Sequence, residues 1–178
     1  MPNLTNKKVI IIVPYKDYSD PELEAVRETL GMFGAEIEIA SHSLGNALGR
    51  SGGQIEVDLL LSDVDMSNYD AAVFIGGMGS IEYQENEQAH NIARTAISHN
   101  KLLAAICIAP IILARAGVLT HKKATVWSTK EESDTIDRLI KAGAKYVDQP
   151  VVVDGRIVTA NGPEAAHDFA NIIANIIA

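Results

Sequence analysis

Short apolar runs alternate along this chain with segments that have the spacing of amphipathic helices. The runs at 9–13, 37–40, 71–75 and 102–106 are rich in Val, Ile, Leu and Ala. A strand that is apolar on both faces needs cover on both sides, which is typical of a parallel sheet between two layers of helices. The order of elements therefore predicts an α/β fold with a doubly wound sheet.

The helical segments between these runs have recognisable ends. The first helix is predicted to begin at Pro21, with Asp20 as its cap and Gly34 at its end. A second helix is predicted to begin at Glu87, and a short third helix to end at about Ala116. Two more are predicted over 134–142 and from Pro163 to the C-terminus. Residues 46–53 indicate a loop or hairpin, followed by an edge strand or an excursion from the main sheet. The segment TVWSTKEES indicates a strand and a turn, and VVVDGRIVT a hairpin about Asp154-Gly155.

Size, charge and cysteine usage limit the class of protein. A chain of 178 residues with 47% hydrophobic content and no repeat or linker predicts one domain over residues 1–178. The net charge of −8 without a basic cluster argues against nucleic acid and anionic membrane surfaces as partners. No stretch reaches the roughly 20 apolar residues of a membrane-spanning helix. A single cysteine and an N-terminus without a cleavage site lead us to expect a cytoplasmic protein.

The one cysteine, Cys107, lies between a strand and a helix in KLLAAICIAPIILARAGVL. The strand 102–106 ends at Cys107, and Pro110 lies in the first turn of the following helix. This places the sulfur at the carboxyl edge of the sheet, where open α/β folds bind ligands, and the helix amides are expected to lower the thiol pKa. The alternative is an ordinary cysteine in an apolar core.

Two further segments carry candidate site residues. In VFIGGMGS, Gly76 and Gly77 follow a strand, and their N–H groups are either part of a plain turn or an oxyanion hole beside the neighbouring strand end. In YSDPEL, Glu22 lies in the first turn of the first helix. It is either a surface carboxylate or an acid that points toward Cys107, where burial would raise its pKa and let it donate or shuttle a proton.

Four segments in order, YSDPEL, FIGGMGS, AAICIAPIILARAGVL and VVVDGRIVTANGPEAAHDFA, resemble those of the ThiJ/PfpI superfamily. The resemblance implies the flavodoxin-like, three-layer fold that this superfamily shares with class I glutamine amidotransferase domains. It also implies that Cys107 is the nucleophile at the elbow, that Glu22 is the acid bonded to it, and that the amides about Gly77 and Ile108 are oxyanion donors. Homodimers are usual in the superfamily, so we expect a homodimer.

The ThiJ/PfpI superfamily contains proteins of several activities. Positions at which this sequence departs from the residues of one branch argue against the activity of that branch. Intracellular PfpI peptidases have a histidine after the nucleophile and a glutamate from a neighbouring subunit; here these positions hold Ile108 and Ile81, with Glu82 adjacent as a displaced substitute. A peptidase is therefore disfavoured. Several glyoxalase-like members have a histidine where VWSTK places Trp127. An indole cannot act as a general base. Trp127 therefore has one of two other roles: it shapes the substrate pocket, or it packs at a pocket or dimer edge.

The histidines are scattered without the paired spacing of metal ligands, so neither a metal nor a cofactor is expected. His90 and His167 are expected to be solvated. The favoured hypothesis is a cofactor-independent enzyme, of glyoxalase III or deglycase type, acting on small reactive carbonyls. The alternative is a redox-responsive or chaperone-like protein whose Cys107 is oxidised to sulfenic or sulfinic acid. The expected partner is thus a small electrophile or an oxidant; an isocyanide hydratase is a less favoured possibility.

Overall fold

Strands and helices alternate through most of the computed structural model, which describes residues 1–178. The strands are β1 (Lys8–Ile12), β2 (Lys16–Tyr18), β3 (Glu36–Ser41), β4 (Gly45–Gly49), β5 (Gln54–Val57), β6 (Leu59–Leu60), β7 (Ala71–Phe74), β8 (Leu102–Ile106), β9 (Lys123–Ala124), β10 (Lys145–Tyr146), β11 (Val151–Asp154) and β12 (Ile157–Ala160). The α helices are α1 (Asp20–Met32), α2 (Glu87–Ser98), α3 (Pro110–Arg115), α4 (Asp134–Lys141) and α5 (Ala166–Ile177). Short 3-10 turns cover Leu61–Asp63, Met66–Asn68, Met78–Tyr83 and Pro163–Ala165.

A seven-stranded sheet in the order β11-β12-β8-β7-β1-β3-β6 forms the middle layer. All its neighbouring strands are parallel except β11 and β12, which form an antiparallel hairpin at one edge. From β1 the chain passes through α1 to β3 on one side, whereas β7 and β8 extend the sheet on the other side. This arrangement confirms the doubly wound, mostly parallel, flavodoxin-like sheet predicted from the sequence.

Alternate residues of β1 enter two separate cores, which explains why that strand is apolar throughout. Val9 and Ile11 are buried with residues of α1 and α5, while Ile10 and Ile12 are buried with residues of α2 and α3 on the opposite face. Because neither face of the strand meets water, a polar residue at any of these positions would lose its hydration without a partner. The three layers follow directly from this double burial.

The segment that the sequence left open folds as a separate small sheet above the carboxyl ends of the strands. β4 and β5 form an antiparallel hairpin, and β2 pairs with β4. The prediction of Asp20 as a helix cap is wrong, because Asp20 is the first residue of α1. Its carboxylate instead accepts hydrogen bonds from the N–H groups of Ser51 (2.7 Å) and Gly53 (2.8 Å) in the β4–β5 loop.

Several predictions in the second half of the chain need correction. The strand expected in TVWSTKEES does not form, because residues 125–133 have no regular structure; the two-residue strand β9, paired with β10, lies just before this segment. His90 is buried rather than solvated, with Nε2 2.9 Å from the carbonyl oxygen of Gln84, whereas His167 is exposed. The hairpin about Asp154-Gly155 is confirmed. No helix combines the length and the apolar composition that a membrane-spanning segment requires.

Candidate active site

Cys107 follows β8 directly and holds its backbone in the left-handed region, with a φ of 65°. This conformation is uncommon for a residue with a side chain and is typical of the sharp strand-to-helix turn that exposes a nucleophile. Two hydrogen bonds fix the turn: the Cys107 N–H donates to the Ala160 carbonyl (2.9 Å), and the Trp127 N–H donates to the Cys107 carbonyl (2.8 Å). The end of β12 and the irregular segment that contains Trp127 therefore hold the strained backbone in place.

Glu22 is fully buried and lines the same pocket as Cys107. Its Oε2 atom accepts a hydrogen bond of 2.9 Å from the Gly76 N–H, whereas its buried Oε1 atom has no hydrogen-bond partner of normal geometry. Of the two alternatives that the sequence left open, the surface carboxylate is therefore wrong. The α1 N-terminus points this carboxyl into the pocket.

Gly76 separates the acid from the cysteine at very close range. A Cβ atom at this position would lie 2.5 Å from the Cys107 Cβ and 2.8 Å from Glu22 Oε2, so only glycine fits between them. The next residue, Gly77, has a φ of 100°. The N–H groups of Gly77 and Ile108 lie close enough to the Cys107 sulfur to favour its thiolate form.

Burial raises the pKa of Glu22 from its ordinary value of 4.5 to about 7, against the opposite effect of the Gly76 N–H. The side chains of Cys107 and Ser19 lie beside the carboxyl and also favour its charged form. Near neutral pH, Glu22 thus exchanges between an acid that can donate a proton and a base that can accept one. A pKa near the working pH is the best value for a group that moves protons.

The pKa of Cys107 is raised to about 12, first by burial and then by the negative charge of Glu22. The N–H groups of Gly77 and Ile108 act in the opposite direction but do not outweigh burial. The lowered thiol pKa expected from the sequence is therefore wrong. The helix α3 has only six residues and begins three positions beyond the cysteine, so it contributes little to balance the loss of water.

The Cys107 pocket has a volume of about 480 Å³. Among the residues singled out from the sequence, it brings together Cys107, Glu22, Gly77, Ile108 and Trp127, and Gly76 lies against both Cys107 and Glu22. Its wall also contains residues that the sequence analysis missed, namely Ser19, Asp20, Pro21, Arg50, Ser51, Met78 and Pro163. Ser19, Asp20, Pro21, Met78 and Pro163 fall within the segments that carry the family resemblance, which assigned them no role in the site. Arg50 and Ser51 lie on the β4–β5 loop, where no pattern marks them.

Other candidate positions lie outside this pocket. Glu82, considered as a displaced substitute for the peptidase glutamate, pairs with His42 at 3.2 Å and does not line the pocket of its own chain. A larger cavity of about 770 Å³ between α1 and β5 contains no cysteine or other nucleophile placed beside a base. No three side chains of His, Cys, Asp or Glu converge as metal ligands.

The model of the DJ-1/PfpI family matches residues 7–176. The chain belongs to this family. It is 38% identical over 168 residues to an uncharacterized protein of Methanocaldococcus jannaschii, covering 94% of this chain and 80% of the relative. It is 34% identical over 154 residues to Deglycase PfpI of Pyrococcus furiosus, covering 86% and 90%.

Two other family members extend the comparison. The Caenorhabditis elegans protein named glutathione-independent glyoxalase DJR-1.2 is 26% identical over 164 residues, covering 92% of this chain and 85% of the relative. The crystal structure of a ThiJ/PfpI domain protein from Brachyspira murdochii superposes with a TM-score of 0.89 at 30% identity, covering 98% of both chains. The family membership thus extends over the whole architecture described above.

Proposed function

We propose that this protein is a cofactor-independent enzyme that uses Cys107 to attack small reactive carbonyl compounds, as a glyoxalase or deglycase. The observation that carries the proposal is the buried Glu22 carboxyl, with a pKa near 7, placed beside a cysteine that two backbone N–H groups face. A thiol whose pKa is raised needs a base at the moment of attack. Glu22 is the acid beside the sulfur, whereas the other carboxyl of the pocket, that of Asp20, is hydrogen-bonded to the β4–β5 loop.

The first step is the addition of the sulfur to an aldehyde. Glu22, as the carboxylate, takes the thiol proton while the Cys107 sulfur forms a bond to the carbonyl carbon. The electron pair of the C=O bond moves to its oxygen, which accepts hydrogen bonds from Gly77 and Ile108 and then the proton from Glu22. The product is a neutral hemithioacetal, and the Glu22 carboxylate is regenerated.

With a 2-oxoaldehyde, the same base can complete an internal oxidation and reduction. Glu22 removes the proton from the carbon bonded to sulfur and returns it to the neighbouring carbonyl carbon. The hydroxyl proton of the hemithioacetal moves to the oxygen of that neighbouring carbonyl, and the product is a 2-hydroxy thioester. Water then hydrolyses the thioester and frees Cys107. Methylglyoxal and one water thus become lactate, without an external oxidant or reductant.

The absence of histidine beside the sulfur gives Glu22 this double role. Position 108 is isoleucine, and Trp127, whose indole can only donate, lines the other side of the pocket. Proton transfer therefore falls to Glu22. The names of two relatives, a deglycase from Pyrococcus furiosus and a glutathione-independent glyoxalase from Caenorhabditis elegans, support this substrate class.

The deciding experiment measures the loss of methylglyoxal and the formation of lactate without added thiol or metal. The wild type, Cys107→Ser and Glu22→Gln are compared, with Glu82→Gln as a control for removal of a carboxylate outside the pocket. We expect turnover by the wild type and Glu82→Gln, and its loss in the other two variants. Absence of turnover by the wild type, or full activity of Cys107→Ser, would contradict the proposal.

A second candidate function is a response to oxidants, favoured by the acid beside the sulfur. The protonated form of Glu22 can donate a hydrogen bond to an oxygen added to Cys107, which would stabilise a sulfinic acid. Peroxide treatment followed by mass spectrometry distinguishes the two functions. Stoichiometric, stable oxidation of Cys107 together with no methylglyoxal turnover would favour this second function.

Assembly and location form part of the same proposal. We propose that the protein acts as a homodimer in the cytoplasm, where reducing conditions keep a lone cysteine such as Cys107 free. Sedimentation equilibrium measures the mass of the particle, and a monomer at micromolar concentration would contradict the dimer. Fractionation of cells of the source organism tests the location.

A further inference from the structure

Arg50 is the only lysine or arginine among the residues that line the Cys107 pocket, and it is exposed to solvent. It lies at the tip of the β4–β5 hairpin and forms no ion pair. The reaction proposed above uses no cation, so this guanidinium has no assigned task. An arginine that is free of carboxylate partners at the mouth of a pocket is available to a ligand.

Several hydrogen bonds fix the position of the hairpin loop that carries Arg50. The Arg50 N–H donates to the Tyr18 carbonyl (3.0 Å), and the Gly49 N–H donates to the Gly53 carbonyl (2.8 Å). Both oxygens of Asp20 accept N–H groups of the same loop. The backbone at Arg50 is therefore held beside the pocket and does not depend on a ligand for its position.

The two carboxyl groups that line this pocket together with Arg50 belong to Asp20 and Glu22, and both have other hydrogen-bond partners. The loop closes tightly on Asp20, since a Cβ at Gly49 or Gly53 would lie 2.1 or 2.2 Å from Asp20 Oδ1. Glu22 is buried, hydrogen-bonded to Gly76, and partly protonated near neutral pH. Neither carboxylate forms an ion pair with the guanidinium, although the chain as a whole has a net charge of −8.

We propose that Arg50 recognises a carboxylate on the substrate, so that the preferred substrates are small carbonyl compounds that carry an acid group near the reacting carbon. A planar guanidinium binds a carboxylate through two parallel hydrogen bonds, which fixes the orientation of the ligand. In a chain of net negative charge, such a cation also offsets the repulsion of an anionic substrate. This inference deepens the proposed function and rests on Cys107 as the reacting group.

The test compares two alkylating agents that differ in charge but not in reaction. Iodoacetate and iodoacetamide both transfer their methylene carbon to the Cys107 sulfur with loss of iodide, and only iodoacetate carries a carboxylate. The measured quantity is the ratio of the two rate constants in the wild type, Arg50→Gln and Arg50→Lys. Arg115→Gln is the control, because it removes the same charge from the exposed end of α3, where Arg115 pairs with Glu85.

We expect Arg50→Gln to lower the ratio of the iodoacetate rate constant to the iodoacetamide rate constant about tenfold, by slowing the reaction with iodoacetate alone. A tenfold change corresponds to the loss of about one charge-assisted hydrogen bond. Arg50→Lys should recover part of the ratio, Arg115→Gln should leave it unchanged, and salt should lower it in the wild type. An equal ratio in the wild type and Arg50→Gln would overturn the inference. Because alkylation needs no turnover, this result is independent of whether methylglyoxal is converted.

Discussion

The Gly76 N–H donates a hydrogen bond of 2.9 Å to the Glu22 carboxylate, across 54 positions of the chain. This bond holds the acid at the end of β7, beside the strand β8 that presents Cys107. Because the carboxyl is buried, the bond only partly offsets the loss of water, and the pKa of Glu22 stays near 7. The first two predictions follow from that balance.

Glu22→Gln should change how stability depends on pH. The folded protein holds a proton on Glu22 up to a pKa of about 7, whereas the unfolded chain loses it near 4.5, so the wild type loses stability as pH rises between these values. The loss amounts to roughly 3 kcal/mol. Glutamine cannot ionise, so the variant should gain stability relative to the wild type from pH 4.5 to pH 7. Urea denaturation at pH 5 and pH 8 measures this difference, and parallel pH dependence of the two proteins would contradict it.

The same substitution should also shift the reactivity of the sulfur. The charge of Glu22 raises the pKa of Cys107, so its removal in Glu22→Gln should lower the pH at which the thiolate forms. The rate of alkylation by the neutral reagent iodoacetamide, followed against pH, gives the midpoint for each protein. We expect a lower midpoint in Glu22→Gln and no change in Glu82→Gln. A higher midpoint in Glu22→Gln would mean that Glu22 chiefly stabilises the thiolate as a hydrogen-bond donor.

Gly76→Ala should damage both the site and the fold. The added methyl group would lie between the Cys107 Cβ and Glu22 Oε2, so these groups or the backbone must move, at a cost of about 2 kcal/mol. The control is Gly31→Ala in α1, where nothing lies within 4 Å of the new Cβ and helix propensity should add up to about 1 kcal/mol. Denaturation midpoints compare the two variants. Equal stability of both would show that the contact at Gly76 can relax freely.

Because the backbone at Cys107 is strained, a glycine at this position should give a more stable protein than an alanine, the reverse of the usual order. With a φ of 65°, any side chain at this position is unfavourable, whereas glycine adopts the conformation without strain. Cys107→Gly should therefore be more stable than Cys107→Ala, by about 1 kcal/mol. Equilibrium denaturation of both variants at one pH gives the difference. If the alanine variant were the more stable, strain at this turn would be negligible.

Local patterns in the sequence were sufficient for the fold. Val9, Ile10, Ile11 and Ile12 must all be buried, and only a strand between two layers of helices achieves that, so the central sheet could be predicted. The ends of the first helix and the turn at Cys107 were recognisable because glycine, proline and the change from strand to helix act over a few residues. The strand predicted in TVWSTKEES does not form, because Val126 is buried without pairing in a sheet.

The sheet, the order of its elements and the presence of a cysteine at a strand end follow from the residues alone. The burial of Glu22, the raised pKa of Cys107 and the place of Arg50 in the pocket lining emerge only from the folded chain. The difference lies in the range of the interactions. Backbone preference and periodicity act between near neighbours, whereas burial, charge and pocket shape come from residues far apart in the chain that the fold brings together.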